Sequence, residues 1–216
     1  MENNVLKVNE IFSSILGEST YAGMPCAFVR LAGCNLRCSY CDTKFAYDNG
    51  IEMTVDQVAR SVKKFNLAPV LITGGEPLVQ DAVYDLINKL LDMNHLILIE
   101  TNGSVGVEKI SGDVITIMDL KCPGSGEAHR NLFGNIDYLS EPDNVKFVIR
   151  DRTDYEWALN VIDEYDLESY LSVLMSPVYG EMDPKQLSEW MLEDKLLARL
   201  SLQIHKILWG PEERGR

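Results

Sequence analysis

Three of the five cysteines in this chain lie in one short segment, and their spacing is its strongest chemical signal. Cys34, Cys38 and Cys41 have the spacing C-x3-C-x2-C. Closely spaced thiolates hold iron–sulfur clusters, and three thiolates on a four-iron cluster leave one iron open to another molecule. Structural zinc takes four ligands, so Cys26, Cys122 or a histidine would have to supply the fourth. An odd cysteine count is a poor disulfide framework.

Other polar segments each follow an apolar run that we predict to be a strand. The predicted strands are 26–32, 70–73, 95–100, 114–120, 145–149 and 170–175, with a final short strand at 200–204. The segments that follow them are the cysteine loop, GGEP, TNG, KCPGSG and SPVYG. Because active sites of parallel sheets lie at the carboxyl ends of the strands, one edge would collect these segments.

Helical periods alternate with these strands. The capping-box patterns TVDQ and TDYE predict helices that begin at Thr54 and Thr153, and Asp183 followed by Pro184 predicts another. Alternating strands and helices indicate a parallel sheet with helical crossovers. About six such units are too few for an eight-fold barrel, so we expect an α/β fold, a partial (β/α)6-type barrel, in a single domain over residues 1–216.

Composition excludes several classes of protein. The chain has 216 residues, 46% of them apolar and 25% charged, which is typical of a globular protein. Its net charge of −13 disfavours nucleic-acid binding, which normally needs a basic excess. No apolar run is long enough for a membrane span, and the N-terminus lacks a signal-peptide pattern, so we expect a soluble, cytoplasmic protein.

The motifs carry a resemblance to known enzymes. GCNLRCSYCDT resembles the C-x3-C-aromatic-x-C motif of the radical S-adenosylmethionine (SAM) superfamily, and GGEP resembles its SAM-binding segment. IFSSILGESTYAGMPCAFVRLAGCNLRCSYCDT, ITGGEP, IETNG, DLKCPGSGE and QIHKILWG together resemble the 7-carboxy-7-deazaguanine synthase family of the queuosine and 7-deazapurine pathway. The narrower resemblance covers nearly the whole chain.

This resemblance implies a reaction. The expected substrate is 6-carboxy-5,6,7,8-tetrahydropterin, and the product is 7-carboxy-7-deazaguanine, with loss of ammonia. Cys34, Cys38 and Cys41 would hold a [4Fe–4S] cluster whose open iron binds SAM. Reductive cleavage of SAM would yield a 5′-deoxyadenosyl radical that abstracts hydrogen from the pterin, so no protein acid or base is assigned to that step.

The resemblance also assigns binding residues. The expected SAM contacts are Tyr40, Cys41, Asp42, Gly74, Gly75, Glu76, Thr101, Asn102, Lys121, Ser125 and Ser176. The expected substrate contacts are Ile15, Leu16, Gly17, Glu18, Arg30, Thr73, His205 and Pro211. Arg30 also stands out by itself, since a charged residue in an apolar strand needs a partner, and its planar fork suits a carboxylate.

The resemblance implies further partners. Thr43 would be a ligand of Mg²⁺, which prefers hard oxygen ligands. An external electron donor such as flavodoxin or ferredoxin is expected, as is a homodimer. Residues from about 10 to 50 would bind cluster and substrate, and residues from about 200 to 216 would close the substrate site. The family usually has glutamine where this chain has Leu16, which removes one polar contact.

Alternatives to these roles are structural. GGEP and TNG also occur as simple turns, Tyr40 as a core aromatic residue, Arg30 in an internal salt bridge and His205 as a structural histidine. Two other functions share the cysteine pattern: an activase of glycyl-radical enzymes, and a non-catalytic metal-binding module. Cys26 and Cys122 are expected to be buried residues or thiols that line the site, and not cluster ligands.

Overall fold

A computed structural model describes residues 4–211 and 213–215 of the chain. It contains one nine-stranded sheet. The strands are β1 (Val5–Ile15), β2 (Pro25–Leu31), β3 (Ile51–Thr54), β4 (Pro69–Gly74), β5 (Leu96–Thr101), β6 (Ile115–Leu120), β7 (Asn144–Ile149), β8 (Ser172–Pro177) and β9 (Arg199–Leu200). The helices are α1 (Val55–Lys63), α2 (Ala82–Asp92), α3 (Arg152–Glu164), α4 (Pro184–Glu193) and α5 (Ile204–Trp209).

The sheet has the order β3-β1-β2-β4-β5-β6-β7-β8-β9, so its edges are β3 and β9. Every neighbouring pair from β2 to β9 is parallel, whereas β1 runs antiparallel to both β2 and β3. The six strands β2 and β4 to β8 are those the apolar runs predict, and they form the expected partial barrel. Strand β8 begins at Ser172 instead of 170.

Three segments differ from the prediction. Strands β1 and β3 were not predicted: β1 mixes buried and exposed residues, and most of β3 is exposed, so neither is an apolar run. The final strand is only Arg199–Leu200, and residues 204–209 form α5. The alternation of Leu200, Leu202 and Ile204 therefore does not mark a continuous strand. Between β6 and β7 the chain forms short 3-10 turns and not a crossover α-helix.

Local capping signals were right for two helices and wrong for one. Thr54 and Gln57 form the predicted capping box of α1. Asp183 caps α4, with Pro184 in its first turn. Helix α3 begins earlier than predicted, because Asp151 is its N-cap and accepts a hydrogen bond from the Asp154 backbone N–H.

The two faces of the sheet carry different kinds of side chain. The helices cover one face and enclose the main apolar core. A smaller apolar cluster closes the inner face at the amino ends of the strands: Leu16, Cys26, Phe28, Leu71, Leu98, Ile115 and Ile117. Two residues further along, the same face carries charge, as at Arg30 after Phe28 and Glu100 after Leu98, because alternate residues of a strand share a face. The inner face is therefore apolar at its base and charged at its mouth.

No helix among the described residues is long and apolar enough to cross a membrane.

Candidate active site

A cavity of about 650 Å³ lies at the carboxyl ends of the strands. Most of the residues singled out in the sequence line it: Ile15, Leu16, Gly17, Glu18, Arg30, Cys34, Cys38, Tyr40, Cys41, Asp42, Thr43, Thr73, Gly74, Gly75, Thr101, Asn102, Lys121, Ser176, His205 and Pro211. The fold thus brings together segments from residue 15 to residue 211.

Glu76 and Ser125 do not lie on the cavity wall. Glu76 is fully buried, and Ser125 is nearly so. The Glu76 carboxylate accepts hydrogen bonds from the Leu78 N–H (3.0 Å), the Thr101 hydroxyl (2.9 Å) and the Asn102 N–H (2.6 Å). The Ser125 hydroxyl donates to the Cys122 carbonyl over 2.6 Å. Both side chains hold loops together behind the cavity wall, and their contact with SAM stays a prediction.

The cysteine loop presents its three thiols to the cavity. Cys34, Cys38 and Cys41 are partly exposed and not in disulfides. Burial raises the pKa of the Cys34 thiol, and that of Cys38 to about 11, while the charge of Lys121 lowers both. Cys26 and Cys122 are fully buried in the apolar cores, and neither lines the cavity.

The donor set suits a cluster better than a single ion. Among the described residues, no group of three or more His, Cys, Asp or Glu side chains could hold one metal ion. In an iron–sulfur cluster each thiolate binds a different iron, so the sulfur atoms need only border a shared space. Three thiols on one cavity wall meet that requirement.

Glycines bring the end of β4 against the cysteine loop. Gly74 has a φ of +136°, which residues with a side chain rarely adopt, and a Cβ there would overlap the Leu31 backbone. A Cβ on Gly75 would overlap the Gly33 carbonyl, directly before the first cysteine. The expectation was that these glycines let the backbone approach SAM. What the structure shows is close packing of β4 on the start of the cysteine loop.

Asn102 joins the loop after β5 to the cysteine loop. Its side-chain amide donates to Asn35 Oδ1 over 3.1 Å and lies 3.9 Å from the Cys34 sulfur. Its amide oxygen accepts from the Ser104 hydroxyl (2.6 Å), and its backbone N–H is bound to Glu76. The TNG segment is therefore more than a free turn.

Charged pairs cross the cavity wall. Arg30 Nε donates to Glu10 over 2.7 Å, so an internal salt bridge does form, although Arg30 still lines the cavity. Asp119 pairs with Lys121 at 3.0 Å. Lys146 pairs with Asp119 at 3.5 Å. All these side chains are less than a quarter exposed, so water screens them weakly.

The C-terminal segment closes one side of the cavity. The Lys206 ammonium lies 2.6 Å from Asp42 Oδ2, and Thr43 donates its hydroxyl to Asp42 Oδ1 over 2.9 Å. His205 lies against Gly17, where a Cβ would overlap the imidazole. Burial lowers the pKa of His205, which favours its neutral form. Helix α5 thus contacts both the cysteine loop and the segment that follows β1.

Among the charged residues of the wall that sequence reasoning missed, four lie on strands: Glu10, Glu100, Asp119 and Lys146. The signal that singled out Arg30 was present for three of them, since LILIET, ITIMDL and NVKFVI each contain one charge in an apolar strand. Glu100 is partly buried and accepts a hydrogen bond from the Thr73 hydroxyl over 2.6 Å. Glu10 carried no such signal because β1 is only partly apolar.

Known proteins resemble this chain closely. The family model of the radical SAM superfamily matches residues 29–183. The 7-carboxy-7-deazaguanine synthase of Chlorobaculum tepidum is 42% identical over 213 residues, which cover 97% of each chain. The enzyme of that name from Clostridium acetobutylicum is 38% identical, covering 97% of this chain and 98% of its own.

The chain belongs to the 7-carboxy-7-deazaguanine synthase family of the radical SAM superfamily.

Solved structures agree on the fold. QueE from Escherichia coli matches with a TM-score of 0.77 at 20% identity, covering 92% of this chain and 94% of that one. Streptococcus suis SuiB matches with a TM-score of 0.59 at 16% identity, covering 79% of this chain and 46% of its own. Membership of the superfamily makes the chain a radical SAM enzyme, and it implies a [4Fe–4S] cluster and SAM as cofactors.

Proposed function

We propose that this enzyme is a carbon–nitrogen lyase that converts 6-carboxy-5,6,7,8-tetrahydropterin to 7-carboxy-7-deazaguanine, with loss of ammonia, in queuosine biosynthesis. The observation that carries the proposal is the end-to-end match, which covers 97% of this chain and 97% of the Chlorobaculum tepidum synthase. The cavity supports it, because cluster thiols and a charged wall border one space large enough for small molecules.

The thiols of Cys34, Cys38 and Cys41 would hold the cluster. When bound, the cluster and SAM would supply the one-electron chemistry that starts the reaction. The residues that would position SAM beside the cluster are Thr101, Asn102, Lys121 and Ser176, together with the backbone of Gly74, Gly75 and Tyr40. Glu76 and Ser125 would contribute by holding the adjacent loops. Asp42 would contribute on the same side of the cavity, through the contacts that its carboxylate makes with Thr43 and Lys206.

The pterin would occupy the inner part of the cavity. Arg30 would face its carboxylate, Glu18 and Thr73 its nitrogen-rich edge, and His205 would close the side formed by α5. Backbone groups of Ile15 and Gly17 would add contacts, with Pro211 at the rim. Leu16 packs into the apolar cluster at the base of the cavity, so it would contribute apolar surface where the family resemblance implies a glutamine.

Two further components belong to this proposal. A Mg²⁺ ion would bind the Thr43 hydroxyl, with substrate oxygens and water completing its shell. To do so, Thr43 would turn from its present hydrogen bond with Asp42. An external one-electron donor such as flavodoxin or ferredoxin would reduce the cluster, and the enzyme would work as a homodimer in the cytoplasm.

Anaerobic turnover tests the function. Protein reconstituted with iron and sulfide should contain about four irons per chain. With SAM, Mg²⁺ and a reductant it should consume the carboxypterin and release ammonia in equal amounts. Cleavage of SAM without consumption of the pterin would contradict the proposal. A run with a glycyl-radical enzyme in place of the pterin is the matched control for activase activity.

A further inference from the structure

Lys146 is a closely enclosed cation of the cavity wall, and sequence reasoning assigned it no role. It lies on β7, its side chain is 10% exposed, and its ammonium is 2.9 Å from Glu18 Oε2 and 3.5 Å from Asp119 Oδ2. The charges of Glu18, Asp119 and Glu100 outweigh burial and raise the pKa of Lys146 well above its usual range. Lys146 is therefore charged at neutral pH.

Glu18 depends on this cation for its place. It lies in the segment between β1 and β2, outside the parallel strands. Its carboxylate is only 10% exposed, which is costly for an anion without a partner. Lys146 donates to Oε2. The Ser176 hydroxyl lies 3.3 Å from Oε1, but it shares its one hydrogen with the Ser201 carbonyl at 2.9 Å, so Lys146 is the main partner of Glu18. Two residues before Lys146, the Asn144 amide oxygen accepts from the Thr20 N–H over 3.1 Å. Strand β7 thus anchors this segment at two points.

The pairing leaves Glu18 with capacity for a ligand. An ionised carboxylate has about four acceptor positions, and the described contacts occupy only part of them. Glu18 lines the cavity, so its remaining positions are open to a bound molecule. A carboxylate oxygen paired with a cation accepts hydrogen bonds, so it favours an N–H-rich edge of a ligand over a carbonyl edge.

We propose that Lys146 is a positioning residue for the substrate: it holds the Glu18 carboxylate as an oriented acceptor for the N–H donor edge of the pterin. This assignment rests on the proposed function. Lys146 does not itself contact the reacting atoms. Its effect on the substrate is transmitted by Glu18, and that predicts a specific dependence between the two residues.

A double-mutant cycle on the reconstituted holoenzyme tests this dependence. Lys146→Met and Glu18→Gln should each weaken pterin binding, measured by anaerobic calorimetry with SAM present, by about tenfold or more, the scale expected for a charged hydrogen bond. Lys146→Met/Glu18→Gln should bind the pterin no more weakly than the worse single variant, because both changes remove one interaction. Lys146→Arg, which keeps the charge, should recover part of the affinity.

The controls separate positioning from general damage. SAM binding should stay within about threefold in every variant, since the effect is expected on substrate binding only. Lys89→Met removes a lysine from the exposed pair with Asp56 and should change nothing. If Lys146→Met does not fold because it leaves a buried acid unpaired, the double variant decides: pterin affinity equal to that of Glu18→Gln supports the proposal.

Three results would overturn it. They are a pterin affinity for Lys146→Met within about twofold of wild type, effects of the two single variants that multiply in the double variant, or an equal loss of SAM binding. Turnover by the wild-type enzyme distinguishes a failure of the role of Lys146 from a failure of the proposed lyase function. If wild-type holoenzyme does not consume the pterin, both fail; if it does and the variants behave additively, only the role of Lys146 fails.

Discussion

The contact between Gly75 and Gly33 shows how single residues set the geometry of the site. The end of β4 packs so tightly on the start of the cysteine loop that neither a Cβ on Gly74 nor one on Gly75 has room. A backbone neighbour cannot move aside as a flexible side chain can, so the cost falls on the loop that carries the thiols. The glycines therefore affect the cluster loop directly, whatever they do for SAM.

Gly75→Ala should lower the free energy of unfolding by about 2 kcal/mol or more, because overpacking against backbone is poorly relieved. Gly112→Ala is the matched control, since a Cβ there meets nothing within 4 Å. It should change stability by less than about 0.5 kcal/mol. Urea unfolding of the two variants measures both values. Equal stability of Gly75→Ala and wild type would contradict the close packing of Gly75 on the Gly33 backbone.

Removal of one cluster thiol should abolish the cluster, whereas removal of a core thiol should not. We expect Cys38→Ala, reconstituted anaerobically, to lose most of its roughly four irons and its visible absorption, since one ligand is missing. Cys122→Ala should retain both, because Cys122 is buried in the main core and faces no cavity. Iron analysis and absorption spectra provide the measurement. Loss of iron in Cys122→Ala would show that the ligand set is wrong.

The helix starts differ in what decides them. Helix α1 is capped by Thr54 and Gln57, both within its own first turn. In α3 the residues of the TDYE pattern have other partners: Glu156 pairs with Arg152 at 2.9 Å, and Asp154 accepts the Gly124 N–H at 2.6 Å. The loop after β6 thus draws Asp154 inward, and Asp151 provides the cap.

Alanine substitutions should separate the true cap from the sequence pattern. Thr54→Ala and Asp151→Ala should each lower the free energy of unfolding by about 1 kcal/mol, the usual value of an N-cap. Thr153→Ala, the matched control, should cost less than about 0.5 kcal/mol because its hydroxyl caps nothing. Thermal or urea unfolding is sufficient. A cost for Thr153→Ala as large as that for Thr54→Ala would restore the capping box at Thr153.

At the scale of the whole molecule, charge is distributed unevenly. The chain carries a net charge of −13, yet Arg30, Lys121, Lys146 and Lys206 all line the cavity. Each of these four cations is paired with a carboxylate, so the cavity holds alternating charges and not a positive surface. Such an arrangement suits a small zwitterionic ligand. It offers little to a polyanion.

The acidic surface predicts that the enzyme does not bind RNA, although its product belongs to the pathway of an RNA nucleoside. Transfer RNA should bind with a dissociation constant above about 100 µM at physiological salt, weaker than typical non-specific binding by basic proteins. Fluorescence anisotropy with labelled transfer RNA, repeated at low salt, measures this. Tighter binding that weakens steeply with added salt would reveal a basic surface that the net charge conceals.

Local sequence patterns were enough to predict the class of the fold, and together with the family resemblance they named many of the residues that line the cavity. The apolar runs predicted six parallel strands, and their carboxyl ends were expected to collect the cysteine loop, GGEP and TNG. These signals are local: an apolar run, a thiol spacing or a helix cap depends on residues near one another in the chain. The resemblance to the synthase family then assigned binding roles to individual residues.

Which charged side chains pair with one another depends on the tertiary structure. The ion pair of Glu18 and Lys146 joins residues far apart in sequence, as does that of Lys206 and Asp42. No local pattern encodes such a pairing, since it depends on the register of β6, β7 and the segments packed over them. The same is true of Glu76, whose motif suggested a ligand contact but whose carboxylate is used within the protein. The partners of these side chains therefore depend on how distant parts of the chain pack together, and not on residue type alone.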